Sequence, residues 1–485
     1  MNGPEPDSLE FGEVTFALPA QQFGITCSLT DEEALPVVTE FSLRVIHSCE
    51  AITPRQLQVF FGFTEDETTA VISTLTSERL VQWDEDSLEV TPYARAKFIE
   101  SPDGIPRFFR IRDFSRDVTF DLMSFLPASD HSDRLQRAFL MVELAPRNAE
   151  RESKTKFWAE QSFQENFHQI NRGKRAEIYK ISEVEPGERF LIPLSCRFGL
   201  RIDGGIQVSR SLSDANFDNK LEIAEAISEA LGISATQNGN ALDEFCKAFD
   251  GVISQDYFES GVFSLSRYVD DVYLRHRITL SAGVTPIIGS LHMAHNRRIL
   301  IDALKELKLP SPVDAYWIAP QARFWSRSRF IRSFLRDVTS ELAGGLNDSS
   351  EDETVGPTIK VLLQMGNLPD HEFMKVYCES FPLVYASSGS ALKGKVELFM
   401  VPGQLVCAIY HHYVEESPLT IPLGFVSSRP DHLKGASAIM HQLVTGDSLL
   451  YKLDRRALRQ PVTAEDLFAA SKQKPAKENA TTGEN

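Results

Sequence analysis

Apolar residues near the start of the chain recur at the spacing of a helix. The set that predicts a first helix with one inward, apolar side is Leu35, Val38, Phe41 and Val45. Two further helices are predicted by the tetrapeptides 53–56 and 64–67, which begin with Thr and end with Gln or Glu, the pattern of a capping box. The second helix is expected to end at Gly62. The third is expected to bury Val71, Ile72 and Leu75.

Two short apolar segments, 80–83 and 88–90, flank a polar turn and predict a β-hairpin. Three helices followed by a hairpin resemble a winged-helix domain over residues 31–100, and proteins of that kind usually place the third helix in the DNA major groove. Here the third helix begins with Glu65-Asp66-Glu67, and the hairpin turn contains Asp84-Glu85-Asp86. DNA binding draws on Lys and Arg, yet the segment holds 14 acids and five bases. A protein-binding or purely structural role is favoured for this domain, with a DNA-binding regulator as the alternative.

The pattern between residues 101 and 284 is mixed and predicts an α/β middle domain. Strands are predicted at 118–126, 139–144, 190–200 and 206–208, and helices at 153–170 and 221–231. The segment contains neither a Gly-rich phosphate loop nor a nucleophile elbow. We therefore predict no catalytic chemistry there, and we interpret His168 as a surface or packed residue.

Strand and helix signals alternate from about residue 285 to 450. The predicted helices are 296–307, an Arg-rich helix at 324–342, and 371–380; the predicted strands are 313–319, 359–365, 381–385, 396–401 and 405–410. Alternation of this kind predicts an α/β domain. The tail from residue 461 is predicted to be disordered beyond a short helix near 464–471.

This order resembles a phospholipase D-like domain over residues 285–460. The segment Ala315–Pro320 is similar to that family's strand-end pattern, and Lys393-Gly394-Lys395 falls on its H-x-K motif. In that register Met400 stands at the family's aspartate and Cys407–Tyr410 at its G-S-x-N, so only Lys395 matches a functional position. The resemblance implies a phosphate-binding fold without the nucleophilic histidine that forms the covalent intermediate. We predict no catalytic residue, cofactor or metal, with an active phosphodiesterase or nuclease as the alternative.

The chain contains other histidines and acids that could act in catalysis or bind a metal ion. His432-Leu433-Lys434 is a literal H-x-K, but its continuation predicts a helix and has Ile439 where an aspartate is needed. His432 and His411 are the candidates if the domain is an enzyme. Metal binding is disfavoured for the remaining pairs because no further ligand stands at a diagnostic spacing. These pairs are His292 with His295, His411 with His412, and Asp270 with Asp271.

Charge is distributed unevenly over the 485 residues, whose formal net charge is −18. Acids are concentrated in the first 100 residues and again at 348–353, in a segment predicted to be a surface loop. Against this background we predict that a group of cations binds phosphate, nucleic acid or an acidic protein. These residues are Arg323, Arg327, Arg329, Arg332 and Arg336, which we place on one helix, together with Lys393 and Lys395.

The remaining composition predicts a cytoplasmic protein. No stretch of about 20 apolar residues is present, the first 30 residues lack the basic start of a signal peptide, and the six cysteines form no C-x-x-C pair. We expect an acidic segment at 1–30, a winged helix at 31–100, a middle domain at 101–284, a degenerate phospholipase D-like domain at 285–460 and a tail at 461–485. This combination resembles bacterial anti-phage defence proteins. It implies a non-catalytic interaction subunit of a nucleic-acid-associated complex.

Overall fold

The computed structural model is mixed α/β with several sheets, as predicted. It describes residues 8–33, 35–101, 105–129, 133–138, 140–146, 148–171, 176–201, 207–218, 220–232, 240–250, 252–253, 255–274, 283–344, 357–365, 371–414, 417–445 and 448–469. The acidic cluster at 348–353, the turn at 203–205 and the tail beyond 469 lie outside these ranges.

The chain divides into two units, each assembled from separated segments. The small unit comprises Ala20–His131 and Asn148–Arg189; the large unit comprises Met1–Pro19, Ser132–Arg147 and Phe190–Asn485. The small unit continues across the boundaries predicted at residues 30 and 100, and the large unit continues across the one predicted at residue 284.

The strands are β1 Ser8–Glu33, β2 Ala51–Ile52, β3 Val81–Asp84, β4 Ser87–Val90, β5 Phe108–Asp121, β6 Val142–Glu143, β7 Ala176–Arg201, β8 Gln207–Leu212, β9 Phe258–Glu259, β10 Val262–Phe263, β11 Val284–Ile288, β12 Ala315–Ala319, β13 Ile359–Gln364, β14 Leu383–Ser387, β15 Val396–Val401, β16 Leu405–His412, β17 Ile421–Ser427, β18 Leu450–Leu453 and β19 Arg459–Pro461.

The α-helices are α1 Val37–Ser48, α2 Pro54–Phe61, α3 Glu65–Ser77, α4 Pro92–Glu100, α5 Ala149–Ser153, α6 Thr155–Glu165, α7 Phe167–Ile170, α8 Ala215–Asp218, α9 Leu221–Leu231, α10 Ala241–Ala248, α11 Leu265–Val269, α12 Ala294–Glu306, α13 Ile331–Leu342, α14 His371–Ser380, α15 Pro430–Val444 and α16 Ala464–Phe468.

The helix and hairpin elements predicted in the small unit are present. Both capping boxes form, Thr53 with Gln56 and Thr64 with Glu67, and α2 ends at Gly62 with φ of 72°. β3 and β4 form the hairpin, and β2 joins it in the order β2-β4-β3. The core of this part contains Leu57, Ile72 and Leu75 together with α4, which the sequence analysis did not predict.

The predicted inward face of α1 is confirmed for Leu35 and Val45, which pack against the core, but is wrong for the other two residues. Val38 and Phe41 are 48% and 47% exposed, whereas Leu43 and Ile46 are fully buried. The helix begins at Val37, and its buried positions Thr39, Ser42, Leu43 and Ile46 follow a stripe that includes two polar residues. The apolar pattern alone therefore placed the buried side of the helix only in part.

A second core in the small unit lies on β1, which pairs antiparallel with β5. Phe23, Ile25, Cys27 and Leu29 alternate with half-buried residues, as expected of a strand with one buried face. The predicted helix at 153–170 is divided into α5, α6 and α7. Phe163 and Phe167 are buried in this core, but Phe157 is 57% exposed.

The large unit contains a nine-stranded sheet in the order β11-β17-β16-β15-β12-β13-β14-β18-β19. β12, β13 and β14 are parallel to one another, and the other neighbouring pairs are antiparallel. Strands β13, β15, β16 and β17 are buried along their whole length. Such continuous burial requires cover on both faces of the sheet.

The two faces of this sheet are covered by different helices. One face packs on α12, α13 and α14 through a core that contains Leu300, Phe334 and Tyr377. On the other face Phe245 of α10 contacts Tyr410 and Phe425. Strands β11, β17 and β18 belong to this sheet and were missed by the sequence analysis. No helix among the described residues is long and apolar enough to cross a bilayer.

Candidate anion-binding cleft

A cleft of about 300 Å³ opens in the large unit where residues 11–14 of β1 meet the loops after β11, β12 and β16 and the turn before β15. Its polar lining residues are Glu13, Ser290, Gln321, Arg323, Lys393, Lys395, His411, Tyr413 and Thr420. Of its aromatic lining residues, Phe324 and Tyr413 are partly exposed, whereas Phe11 and Trp325 are buried beneath the surface. The cleft therefore combines cations with two partly exposed aromatic side chains, a combination suited to a phosphate joined to a ring.

The turn before β15 positions the two lysines. Leu392, Lys393 and Gly394 have φ of 49°, 56° and 74°, so three consecutive residues adopt the left-handed conformation. The Gly394 carbonyl accepts a 2.7 Å hydrogen bond from the Gln321 backbone N–H. A Cβ at Gly394 would lie 2.5 Å from the Gln321 side chain. Position 394 therefore favours glycine, both for its backbone conformation and because the Gln321 side chain would have to shift to admit a Cβ.

Lys393 and Lys395 have different environments. Lys393 is exposed, whereas Lys395 is only 7% exposed. Burial lowers the pKa of Lys395, and the nearby charge of Lys393 lowers it further. Both effects disfavour the charged form of the Lys395 side chain. An anion in the cleft would offset them by stabilising the positive charge on Lys395.

A buried chain of hydrogen bonds lies behind the lysines. Glu397 accepts a 2.9 Å bond from Trp317 Nε1 through Oε1, and its Oε2 lies 2.9 Å from His411 Nε2. The other ring nitrogen of His411, Nδ1, lies 2.9 Å from Thr420 Oγ1. Both nitrogens of this cleft histidine are therefore engaged, and the ring is held from two sides.

The remaining charges of the cleft are Arg323 and Glu13. Arg323 donates to the Leu231 carbonyl at 3.0 Å, and its guanidinium lies over the Phe324 ring. Glu13 is buried and accepts from Thr15 Oγ1 at 3.0 Å. Three cationic side chains and one carboxylate line the described part of the cleft, alongside His411. The local charge balance is opposite to that of the whole chain.

The five arginines do not form the predicted helical face. Helix α13 begins at Ile331, so only Arg332 and Arg336 lie on it. The preceding residues form turns, among them Trp325 N–H to Ala322 O and Arg327 N–H to Phe324 O. The prediction of one helix over 324–342 is therefore wrong at its start.

The arginines of the turn also have partners within the large unit. Arg327 lies over the Tyr377 ring at 5.6 Å, and Arg329 pairs with Asp133 at 3.5 Å. Of the five arginines, only Arg323 lines the cleft. The cationic site predicted from the sequence is therefore divided: Arg323, Lys393 and Lys395 come together, whereas Arg327, Arg329, Arg332 and Arg336 lie outside the cleft lining.

Of the positions in the phospholipase D-like register, Lys393 and Lys395 line the cleft, whereas Met400 and Tyr410 do not. Val396 pairs with Tyr410, and Met400 with Val406, so these four residues share one face of the sheet. Lys395, Glu397 and His411 alternate with them and belong to the opposite face. His411, one residue beyond the predicted asparagine position, is therefore the β16 residue that lines the cleft together with Lys395. From the sequence, His411 is a candidate only if the domain is an enzyme.

The other histidines do not enter the cleft lining. His432 lies on α15 between Phe249 and Phe425, with its Nδ1 2.9 Å from Ser427 Oγ. Burial lowers the pKa of His292 and of His412 to about 4. Among the described residues, no group of three His, Cys, Asp or Glu side chains is arranged to hold a metal ion. His168 is exposed, and Asp271 accepts from the Tyr257 hydroxyl.

No family model matches the chain, and no curated protein matches it by sequence. Among solved structures, one match is TrmBL2, described as an archaeal chromatin protein with a novel mode of DNA binding. The alignment covers 84% of this chain and 91% of TrmBL2, at 7% identity and a TM-score of 0.19. A TM-score this low does not indicate a shared fold, and the DNA binding of TrmBL2 is not transferred to this chain.

Proposed function

We propose that this protein is a non-catalytic interaction subunit of a nucleic-acid-associated complex, and that its cleft binds the phosphate and base of a nucleic acid strand. The observation that carries the proposal is the convergence of Lys393, Lys395 and Arg323 on one cleft with aromatic walls. In a chain with a net charge of −18, three cations around one concave site are a specific arrangement.

The geometry favours binding over catalysis. A histidine acting as nucleophile needs a ring nitrogen free to attack phosphorus. His411 has Glu397 at one nitrogen and Thr420 at the other. The position that the phospholipase D-like register assigns to the nucleophile holds Lys393 instead.

The test is binding of fluorescein-labelled single-stranded RNA, single-stranded DNA and duplex DNA to the full chain across a salt series. We expect single strands to bind, because a duplex cannot place a base against the aromatic wall. For the Lys393→Gln/Lys395→Gln double variant, the slope of log affinity against log salt should be smaller by about 1.4, which is about 0.7 for each lost phosphate contact.

The matched control is Arg332→Gln/Arg336→Gln, which removes the same charge from the same unit outside the cleft lining. Its salt slope should equal that of the unmodified protein. An equal decrease of the salt slope in both double variants would mean that the nucleic acid is attracted by positive charge anywhere on the unit. That result would contradict the proposal. Thermal unfolding of both variants verifies that the buried Lys395 position tolerates glutamine.

A second candidate function is phosphodiester hydrolysis at His411. It is favoured by the buried Glu397, which orients the ring, and by Lys395 next to it in the cleft. If Thr420 moved aside on substrate binding, His411 Nδ1 would become available. Hydrolysis of a phosphodiester reporter that is lost in His411→Asn and kept in His432→Asn would replace the binding proposal with this one.

A further inference from the structure

A groove of about 870 Å³ runs across the surface of the small unit between α2, α3 and the hairpin. Helix α3 contributes one side through Glu65, Thr69, Ser73 and Thr76, which recur at helical spacing along a single exposed stripe. Helix α2 contributes Pro54, Arg55 and Gln58, and β3 contributes Trp83. The side chains along α3 are short, so a partner backbone can approach closely.

The groove has an apolar anchor point. Trp83 is 52% exposed on β3, and Ile72 lies at the floor with 8% exposure. Exposed tryptophan is unusual on a surface that meets only water, and aromatic side chains dominate the energetics of protein interfaces. Helix α2 exposes Val59 and Phe60 as well, at 77% and 66%.

The charges around the groove select the partner. Of the described groove-lining residues, Arg55 is the only base, and Glu65 is the acid. Asp84, Glu85 and Asp86 follow Trp83 directly in the hairpin turn and are exposed. Residues 35–101 hold 11 acids and five bases. Phosphate is repelled by such a surface, whereas lysine and arginine are attracted.

We propose that this groove binds a Lys/Arg-containing segment of another protein, with one apolar side chain of that segment packed on Trp83. The inference deepens the proposed function, since it names the partner chemistry of the protein-binding element. The apolar contact supplies affinity, and the acids of the hairpin and of α3 set the preference for a basic sequence.

The test uses the full chain and three fluorescent 12-residue peptides: an amphipathic Lys/Leu peptide, the same peptide with Glu for Lys, and the same peptide with Ser for Leu. Only the Lys/Leu peptide should bind well. Trp83→Ala and Glu65→Lys should each weaken its binding about tenfold, the size of a moderate interface hot spot.

Two further variants sharpen the test. Glu50→Lys carries the same charge change as Glu65→Lys but lies outside the groove lining, so its effect should be below about twofold. Arg55→Gln removes the one base of the lining and should tighten binding about threefold. A gain of affinity cannot arise from misfolding, so this variant keeps the test informative if Trp83→Ala unfolds.

Each remaining outcome overturns the proposal. Equal binding of the Lys/Leu and Lys/Ser peptides, or an equal loss in Glu50→Lys, would mean non-specific attraction to an acidic protein. Competition by duplex DNA would make the groove a DNA site. A dimer that dissociates on Trp83→Ala in sedimentation would make a second copy the occupant. The nucleic acid assays with Lys393→Gln/Lys395→Gln report on the cleft alone, so failure of either proposal is recognised separately.

Discussion

The cleft of the large unit and the groove of the small unit differ in how each obtains its charge. In the cleft, cations stand on the ends of buried strands, and one of them, Lys395, is itself buried. In the groove, acids stand on an exposed helix end and an exposed turn. The negative net charge of the whole chain predicts the acidic character of the groove but not the cationic character of the cleft. An acidic chain can therefore carry a cationic site wherever the fold gathers a few lysines and arginines that are separated in sequence.

The largest expected difference between the two regions is the loss of stability when one carboxylate is removed from each. Glu397→Ala leaves Trp317 Nε1 and His411 Nε2 without their acceptor in the interior, and should cost about 3–5 kcal/mol of the free energy of unfolding. Asp84→Ala on the exposed turn should change it by less than about 0.5 kcal/mol. Urea unfolding measures both, and comparable costs would show that the Glu397 chain is not an important part of the core.

Acid should weaken the large unit through its buried histidines. Burial lowers the pKa of His292 to about 4, and burial together with the charge of Lys395 lowers the pKa of His412 to about 4. Between pH 4 and about 6.5 the unfolded chain binds more protons, so stability is complete above that window and falls as the pH drops through it, by about 3 kcal/mol for each histidine.

Unfolding by urea at several pH values checks this expectation. The His412→Gln variant should lose about half of the pH dependence, because one of the two histidines no longer titrates. A wild-type stability that stays flat between pH 7 and pH 4.5 would contradict it.

Gly394 tests whether the turn before β15 builds the cleft. Gly394→Ala places a Cβ 2.5 Å from Gln321 and should cost about 2–3 kcal/mol of unfolding free energy and most of the nucleic acid affinity. Gly403→Ala is the matched control, since its φ is 70° but nothing lies within 4 Å of the added Cβ. It should cost about 1 kcal/mol, from backbone conformation alone. Similar effects of the two substitutions would remove the crowding explanation.

The smallest expected effect is on the small unit. Thr64→Ala removes the capping box of α3 and should lower the free energy of unfolding by about 1 kcal/mol. The nucleic acid affinity of the cleft should stay unchanged. Binding of the Lys/Leu peptide should weaken, because Glu65 is the first residue of α3 and loses its fixed position when the first turn of the helix frays. A change in cleft affinity would show that the two sites are coupled.

Local chemistry explains which elements could be predicted from the sequence. The capping boxes at Thr53 and Thr64 are complete within four residues, and both helices begin where predicted. Strand β1 was missed although Phe23, Ile25, Cys27 and Leu29 alternate, because the acids before them suggested a solvated segment. The start of α13 was misplaced because the turns over 322–330 depend on tertiary contacts such as Thr15 N–H to Arg327 O.

The cleft was predictable only in part for a similar reason. Lys393 and Lys395 are neighbours in sequence, so a motif search finds them. His411 joins Lys395 through strand pairing, and Glu397 reaches Trp317 across β15 and β12. Whether His411 or Tyr410 faces the same side of the sheet as Lys395 and Glu397 can be decided only when the pairing register of the strands is known. Side chains alternate between the two faces of a strand, so the sequence of β16 already places His411 and Tyr410 on opposite faces. This alternation was the signal in the sequence that could have pointed to His411.

The placement of the cleft on central strands has a consequence for hydrogen exchange. The His411 amide is bonded to the Lys395 carbonyl at 2.8 Å, in a sheet whose strands β15, β16 and β17 are buried throughout. Such amides exchange with deuterium only when the whole domain opens. Strand β3 is an edge of its three-stranded sheet and carries Trp83 on its solvent-exposed part. Amides there are released by local fraying, so deuterium uptake will be slow at the cleft and fast at the groove.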